Sequence, residues 1–342
     1  MMFSEDLDHP LVHGGGLAAA RRLFVDAPEP FIDLSTGINP YSYPLPHLPS
    51  DLFARLPDPE AAAALAAIAA QSYGAASPAH VVPAPGTQIL LPLVAALVDP
   101  ARAAVVGPTY REHARAAALA GHQVSGVSNL NAAHEARLVI VTNPNNPDGR
   151  LFDKNELLAV AKRLESRGGL LVVDEAFMDV APAKASLAGE VGRGAIVVLR
   201  SFGKFFGLGG VRLGFALAAP HLARRLSAKL GPWAVSGPAL AIGTAALADR
   251  AYIEDTRQHL IAAAGRLKAI LLKAGLEIVG GTTLFLLVRT PAASDLFQHL
   301  GRAGILVRCF PEHPFWLRFG LPGTQEAWAR LQTALATRGA TH

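Results

Sequence analysis

Cysteine is almost missing: Cys309 stands alone in 342 residues. No internal disulfide framework can form, and a reducing compartment, the cytoplasm, is expected. As a nucleophile Cys309 lacks supporting groups and reads as a small apolar residue after a strand. Charge is scarce at 17%, with a formal net of +4 and no Lys/Arg run longer than a pair. Nothing in that balance asks for nucleic acid, although a mildly basic chain suits an anionic substrate. Long unbroken apolar runs are lacking too. The richest stretches are alanine-rich and interrupted by Pro, Gly or charge, so no membrane partner is expected, and MMFSEDLDHP has no signal-peptide core. What the chain does have is 51% apolar residues, enough for a large core. Its length exceeds the usual single core, which predicts two domains or one large α/β domain.

The most informative stretch is RSFGKFFGLGGVRLG, residues 200–214. It follows the apolar run 195–199 and places Lys204 where a buried strand hands over to a glycine-rich loop. Low-dielectric surroundings disfavour an ammonium, and a neutral amine can condense with a carbonyl. Ser201 and Arg212 flank it with a hydroxyl and a permanent cation, and the glycines leave backbone N–H groups open to an anion. Taken alone, a lysine among glycines reads more simply as a solvated loop residue.

Three other blocks change that reading. APGTQ (84–88) precedes an apolar helix, so the N–H groups of Thr87 and Gln88 point out of a helix N-terminus, a natural phosphate site. VTNPNNPDGR (141–150) is a strand running into a proline-bounded turn. In VVDEAF (172–177), Asp174 ends an apolar strand, where an unpaired carboxylate costs several kcal/mol and so calls for a cation. Glu175 reads as structural.

In this order the four blocks resemble the fold-type I family of pyridoxal-phosphate enzymes, the aspartate aminotransferase superfamily. The resemblance implies pyridoxal 5'-phosphate as cofactor and no metal. It implies Lys204 as the covalent anchor, Asp174 as partner of the protonated pyridine nitrogen, and Tyr110 stacked on the ring; these three form the catalytic set. Gly86, Thr87, Gln88, Ser201 and Arg212 would hold the phosphate. Asn146 would donate to the 3'-oxygen and face the substrate. Phe177 stands where many aminotransferases have a tyrosine, so that hydrogen bond is absent. Gly203 replaces the usual Ser/Thr before the lysine, and Asp148 the usual Thr of the turn.

Within the superfamily, HGGG (13–16), DLSTGINP (33–40), RLPDP (55–59) and ILVRCF…WLRFGLP resemble the threonine-phosphate decarboxylases of cobalamin biosynthesis over nearly the whole chain. That likeness implies decarboxylation of L-threonine O-3-phosphate to (R)-1-aminopropan-2-ol O-2-phosphate by a homodimer. His13, Gly14, Gly15 and Asn39 would line the substrate site, Arg318 would clamp the α-carboxylate, and Arg308 would take the second anion. Taken without the resemblance, His13 reads as a turn residue, Tyr110 as core, and each arginine as a strand-end cation pairing with a surface acid. The runner-up is histidinol-phosphate aminotransferase, against which stand Leu56 for the tyrosine of its RYPDP and Phe177 for that of its DEAY. A catalytically silent scaffold is a third reading, disfavoured by intact Lys204, Asp174 and Asn146.

The expected fold is α/β, a large domain with a mostly parallel seven-stranded sheet flanked by helices. A smaller α+β domain would comprise the C-terminal part and the N-terminal arm. Boundaries are expected at 1–45 for the arm, 46–235 for the large domain, and 236–342 for linking helices and small domain. Residues 59–73 should form a helix ended by Gly74, and Asp153 with Glu156 should open another. Pro92 is expected in the first turns of its helix.

Overall fold

The computed structural model describes residues 13–193 and 195–337. Up to Ser201 the chain forms α1 (Leu17–Leu23), β1 (Ile32–Leu34), α2 (Asp51–Ala54), α3 (Pro59–Tyr73), β2 (Val81–Ala84), α4 (Thr87–Ala95), β3 (Arg102–Val106), α5 (Glu112–Leu119), β4 (Gln123–Val127), β5 (Leu138–Thr142), α6 (Lys154–Glu165), β6 (Leu170–Asp174) and β7 (Ile196–Ser201). From Phe202 it continues with α7 (Phe202–Phe205), β8 (Gly214–Ala218), α8 (Pro220–Leu230), α9 (Gly237–Ala248), α10 (Arg250–Lys273), β9 (Glu277–Thr282), β10 (Phe285–Arg289), α11 (Ala293–Arg302), β11 (Ile305–Cys309), β12 (Trp316–Gly320) and α12 (Gln325–Thr337). Two compact units result. The larger takes Tyr43–Asn146 and Arg150–Ile253; the smaller takes residues 13–42, Pro147–Gly149 and 254–337.

The larger unit is built on a seven-stranded sheet of order β2-β8-β7-β6-β5-β3-β4. β4, β3, β5, β6 and β7 run parallel, β8 is antiparallel to β7, and β2, antiparallel to β8, runs in the direction of the five. Every residue of β5, β6 and β8 is buried. Strands covered on both faces lose the apolar/polar alternation and become the continuous Val/Leu/Ile runs seen in the sequence. Such sheets collect function at the carboxyl ends of their strands. Thr142, Asp174 and Leu199 lie side by side there, in register across β5, β6 and β7.

Helix boundaries follow local chemistry. Asp58 accepts from Glu60 N at 2.8 Å ahead of Pro59, and Gly74 caps α3 in the left-handed region at φ 79. Asp153 caps α6 by accepting from the N–H groups of Asn155 and Glu156. Pro92 is further inside α4 than its sequence suggests, because the helix opens at Thr87, and its ring nitrogen cannot donate to the Gln88 carbonyl. The expected domain boundary at 236 also differs from the structural division, which falls inside α10. α9 belongs with the sheet-bearing unit because it packs against that unit's residues without room for side chains. A Cβ at Gly237 would lie 2.6 Å from the Leu52 carbonyl oxygen, and one at Gly243 would lie 2.5 Å from Leu213 Cδ2.

The smaller unit holds a five-stranded sheet of order β1-β11-β12-β10-β9. Its edge strand β1, parallel to β11, is only three residues long, too short to show a period in sequence. The turn 147–149 meets β9 of this unit through backbone. Gly281 N donates to the Asp148 carbonyl at 2.8 Å, a Cβ at Gly280 would approach that oxygen to 2.1 Å, and one at Gly149 would approach the Gly281 carbonyl oxygen to 1.9 Å. Gly149 is also at φ +72. We expect Gly149→Ala to combine a left-handed penalty of about 1–2 kcal/mol with a forced parting of two backbones. Thermal unfolding should therefore begin several degrees lower, and an unchanged Tm would refute the tight contact. No described helix is long and apolar enough to cross a membrane.

Candidate active site

Within the larger unit the anion cradle forms where three glycines permit close approach. Gly86, at φ +86, ends the β2 turn and opens α4; a Cβ there would come within 2.8 Å of Arg212 Nη2. A Cβ on Gly214 would sit 2.7 Å from Thr87 N. Arg212 itself adopts left-handed backbone at φ 54, and its Nη1 donates to the Gly209 carbonyl at 3.2 Å. The guanidinium, Gly86 and the first N–H groups of α4 are thus gathered in one place. Ser201 ends β7 opposite Gly214 in register. Gly203 has a packing reason: its Cβ would meet Gly209 Cα at 2.8 Å, so the serine or threonine usual at this point would push the glycine loop away.

Asp174 sits at the end of β6, 7% exposed. Its Oδ1 accepts from Ala176 N at 3.0 Å, and its Oδ2 lies 3.0 Å from His113 Nε2. Sequence reasoning missed His113. The imidazole is 1% exposed and comes from the start of α5, three residues after Tyr110, whose carbonyl accepts from His113 N at 3.2 Å. The Tyr110 and His113 rings meet edge to face, 5.6 Å between centroids at 85°. Lys204, on α7, holds Nζ 5.8 Å from the Phe177 ring centroid. Asn146 follows a locked neighbour: Asn145 accepts from Thr109 Oγ1 at 2.7 Å and donates to the Pro108 carbonyl at 2.9 Å.

Behind Asp174, Arg200 donates to Glu175 at 3.1 Å and to Asp179 at 2.5 Å and lies over the Tyr73 ring at 4.4 Å. Glu175 also accepts from Ser186 Oγ and Leu187 N. Burial pushes the Glu175 carboxyl upward, opposed by Arg200 and these donors. Burial also works against the Arg200 charge, but Asp179 and Glu175 outweigh it and hold the guanidinium above its ordinary range. The cluster ties the end of β7, four residues before Lys204, to the segment that follows Asp174.

In the smaller unit Arg308 and Arg318 are direct cross-strand partners of β11 and β12, which places them on one face of the sheet. Arg318 donates to the Ser35 carbonyl at 2.8 Å and lies over Phe285 at 4.9 Å. Burial first, then Arg308, lower its pKa to about 10, with Asp33 acting the other way. An anion held at this pair would relieve a charge concentration already built in. Gly14 and Gly15 rest on the same Ser35. Gly15 N donates to Ser35 Oγ at 2.7 Å, and a Cβ at Gly14 would reach the Ser35 carbonyl oxygen at 2.5 Å. His13 beside them is exposed. Asn39 is 1% exposed and accepts from Tyr41 N at 2.9 Å, which fixes its turn.

These residues fit pyridoxal phosphate on the structure's own terms. The cradle is one that a Cβ at Gly86 would fill, and Asp174 is a buried carboxylate whose Oδ1 is taken by a backbone N–H. Tyr110 supplies a flat ring and Lys204 an amine beside an aromatic wall.

Comparison with known proteins agrees. The chain belongs to the aminotransferase class I and II family, whose pattern matches residues 31–335. It is 43% identical over 328 residues to the threonine-phosphate decarboxylase of Pseudomonas aeruginosa, covering 95% of this chain and 97% of that protein. To a threonine-phosphate decarboxylase of a Sinorhizobium species it is 44% identical over 333 residues, covering 96% and 98%. The solved histidinol-phosphate aminotransferase of Sinorhizobium meliloti, in complex with pyridoxal-5'-phosphate, shares the fold with a TM-score of 0.79, 23% identity and 99% of both chains covered.

Proposed function

We propose that this protein is a pyridoxal-phosphate-dependent carboxy-lyase that converts L-threonine O-3-phosphate to (R)-1-aminopropan-2-ol O-2-phosphate, for the aminopropanol linker of cobalamin biosynthesis. The observation that carries this reading is the likeness to two threonine-phosphate decarboxylases along essentially the whole chain. The likeness to the histidinol-phosphate aminotransferase structure, at 23% identity, carries the fold alone, so the aminotransferase alternative is not favoured.

When bound, the cofactor supplies a conjugated, protonated ring that takes up the electron pair left as CO₂ departs. The residues supply the rest. Gly86, Thr87, Gln88, Ser201 and Arg212 hold the cofactor phosphate, and Tyr110 and Phe177 hold its ring flat and exclude water. Asp174 keeps the pyridine nitrogen protonated, and Asn146 donates an amide hydrogen to the 3'-oxygen. Lys204 Nζ would hold the cofactor through its amine and give way to that of the substrate, and the freed lysine or a nearby acid would return a proton to Cα. Arg318 would bind the substrate carboxylate and Arg308 the phosphate ester, with His13, Gly14, Gly15 and Asn39 lining the substrate site. Which bond at Cα breaks is read from the likeness to the decarboxylases, and the two arginines would hold both anionic ends of the substrate.

A cytoplasmic homodimer completes the reading. The larger unit leaves Leu45, Phe53 and Leu56 61%, 67% and 68% exposed within twelve residues of chain, an apolar stretch suited to a second copy. The decisive test is to incubate the cofactor-loaded protein with threonine phosphate and no keto acid. We expect CO₂ and aminopropanol phosphate in equal amounts. Product formation that requires a keto acid and releases no CO₂ would overturn the reaction type and leave the family standing.

A further inference from the structure

One buried acid in the larger unit has no part in the chemistry above. Glu112, the first residue of α5, is 5% exposed. Its Oε2 accepts from Gln88 Nε2 at 3.1 Å and lies 3.8 Å from Arg115 Nη1. On the other side of that amide, Gln88 Oε1 accepts from the Tyr110 hydroxyl at 3.1 Å. Gln88, Glu112, Arg115 and Arg212 line one cavity, so this chain of bonds runs beside the phosphate cradle.

The polarity of the chain is fixed from one end. A carboxylate has no hydrogen to donate, so Gln88 must turn its NH₂ toward Glu112. Its carbonyl oxygen then faces Tyr110, and the phenol must donate. Were the amide reversed, two acceptors would face each other at Glu112, and Tyr110 would have to accept an N–H instead. Gln88 is an exposed side chain whose amide would otherwise turn freely between both states.

We propose that Glu112 is a positioning residue: through Gln88 it orients the Tyr110 hydroxyl and so fixes the ring on which the cofactor stacks. The proposal rests on Tyr110 being the stacking residue. It also couples the helix-N-terminal cradle to the stacking wall, since Gln88 belongs to the first and touches the second.

The test is a double-mutant cycle read as pyridoxal-phosphate affinity, by titrating the apoprotein and following bound-cofactor absorbance. Glu112→Gln keeps the shape but can donate, so it frees Gln88 to reverse. Tyr110→Phe removes the far end of the chain. Each single variant is expected to bind pyridoxal phosphate roughly tenfold more weakly. The double variant should bind no worse than Tyr110→Phe alone, because the two changes cut one chain. Gln88→Leu breaks the same chain at its exposed middle and should reproduce the loss even if Glu112→Gln folds poorly. Effects that multiply in the double variant, or Glu112→Gln and Gln88→Leu that both bind as tightly as the parent, would overturn the proposal. Failure of the parent protein to bind the cofactor would instead overturn the reading of the site.

Discussion

Lys204→Ala is expected to release no measurable CO₂ from threonine phosphate, a fall of about 10⁴-fold or more, because no second amine takes over a covalent step. The same variant should lose the visible band of the covalently held cofactor, and borohydride should no longer fix cofactor to protein. Reversible binding should survive, weakened. The cradle of Gly86, Thr87 and Arg212 is built from backbone and a guanidinium. The two readouts separate three cases. Loss of both activity and covalent attachment, with retained reversible binding, supports the catalytic assignment. Retained CO₂ release would remove Lys204 from the chemistry. A parent protein that binds cofactor but turns over nothing would revive the scaffold reading, and then the substitution would change only the spectrum.

How much of this was legible beforehand depended on range along the chain. The cradle, the asparagine turn, Asp174 and Lys204 are short strings whose chemistry and local geometry are set within a few residues, and the buried parallel strands announce themselves as unbroken Val/Leu runs. The seven-stranded sheet that the resemblance implied is the one found. What stayed hidden needed tertiary contact. His113 carries no mark in PTYREH that distinguishes it from a surface histidine, and only the packing of α5 against the end of β6 brings Nε2 to Asp174. The reason for Gly203 is the Gly209 backbone against it, which no spacing rule reveals. β1 is too short for a period, and the division inside α10 reflects how α9 packs, which composition does not record. His13 and Asn39 were grouped by resemblance alone; in the structure one is exposed and the other fixes a turn.

Asp174→Asn should cost about 10³–10⁴-fold in kcat, an effect of the size seen when an orienting carboxylate is made a neutral isostere. The amide fills the same space and can still accept from Ala176 N, so the fold should hold. What it cannot do is neutralise a protonated ring nitrogen, and without that charge the ring is a poor electron sink. His113 gives the control. Its Nε2 lies 3.0 Å from Asp174 Oδ2, so its removal leaves the carboxylate in place but less firmly aimed. His113→Asn is therefore expected to lose only about 10–100-fold, the range for a residue that acts through another. The order of the two effects decides the assignment. If His113 were the group that carries charge to the ring and Asp174 merely its support, the histidine variant would be at least as damaged as the aspartate variant. An Asp174→Asn protein with near-parental kcat would remove the charge pairing from the mechanism altogether. The cofactor spectrum offers an independent reading, because loss of the charge partner lowers the pH at which the ring nitrogen gives up its proton. The variant's spectrum should therefore change with pH in a range where that of the parent stays constant.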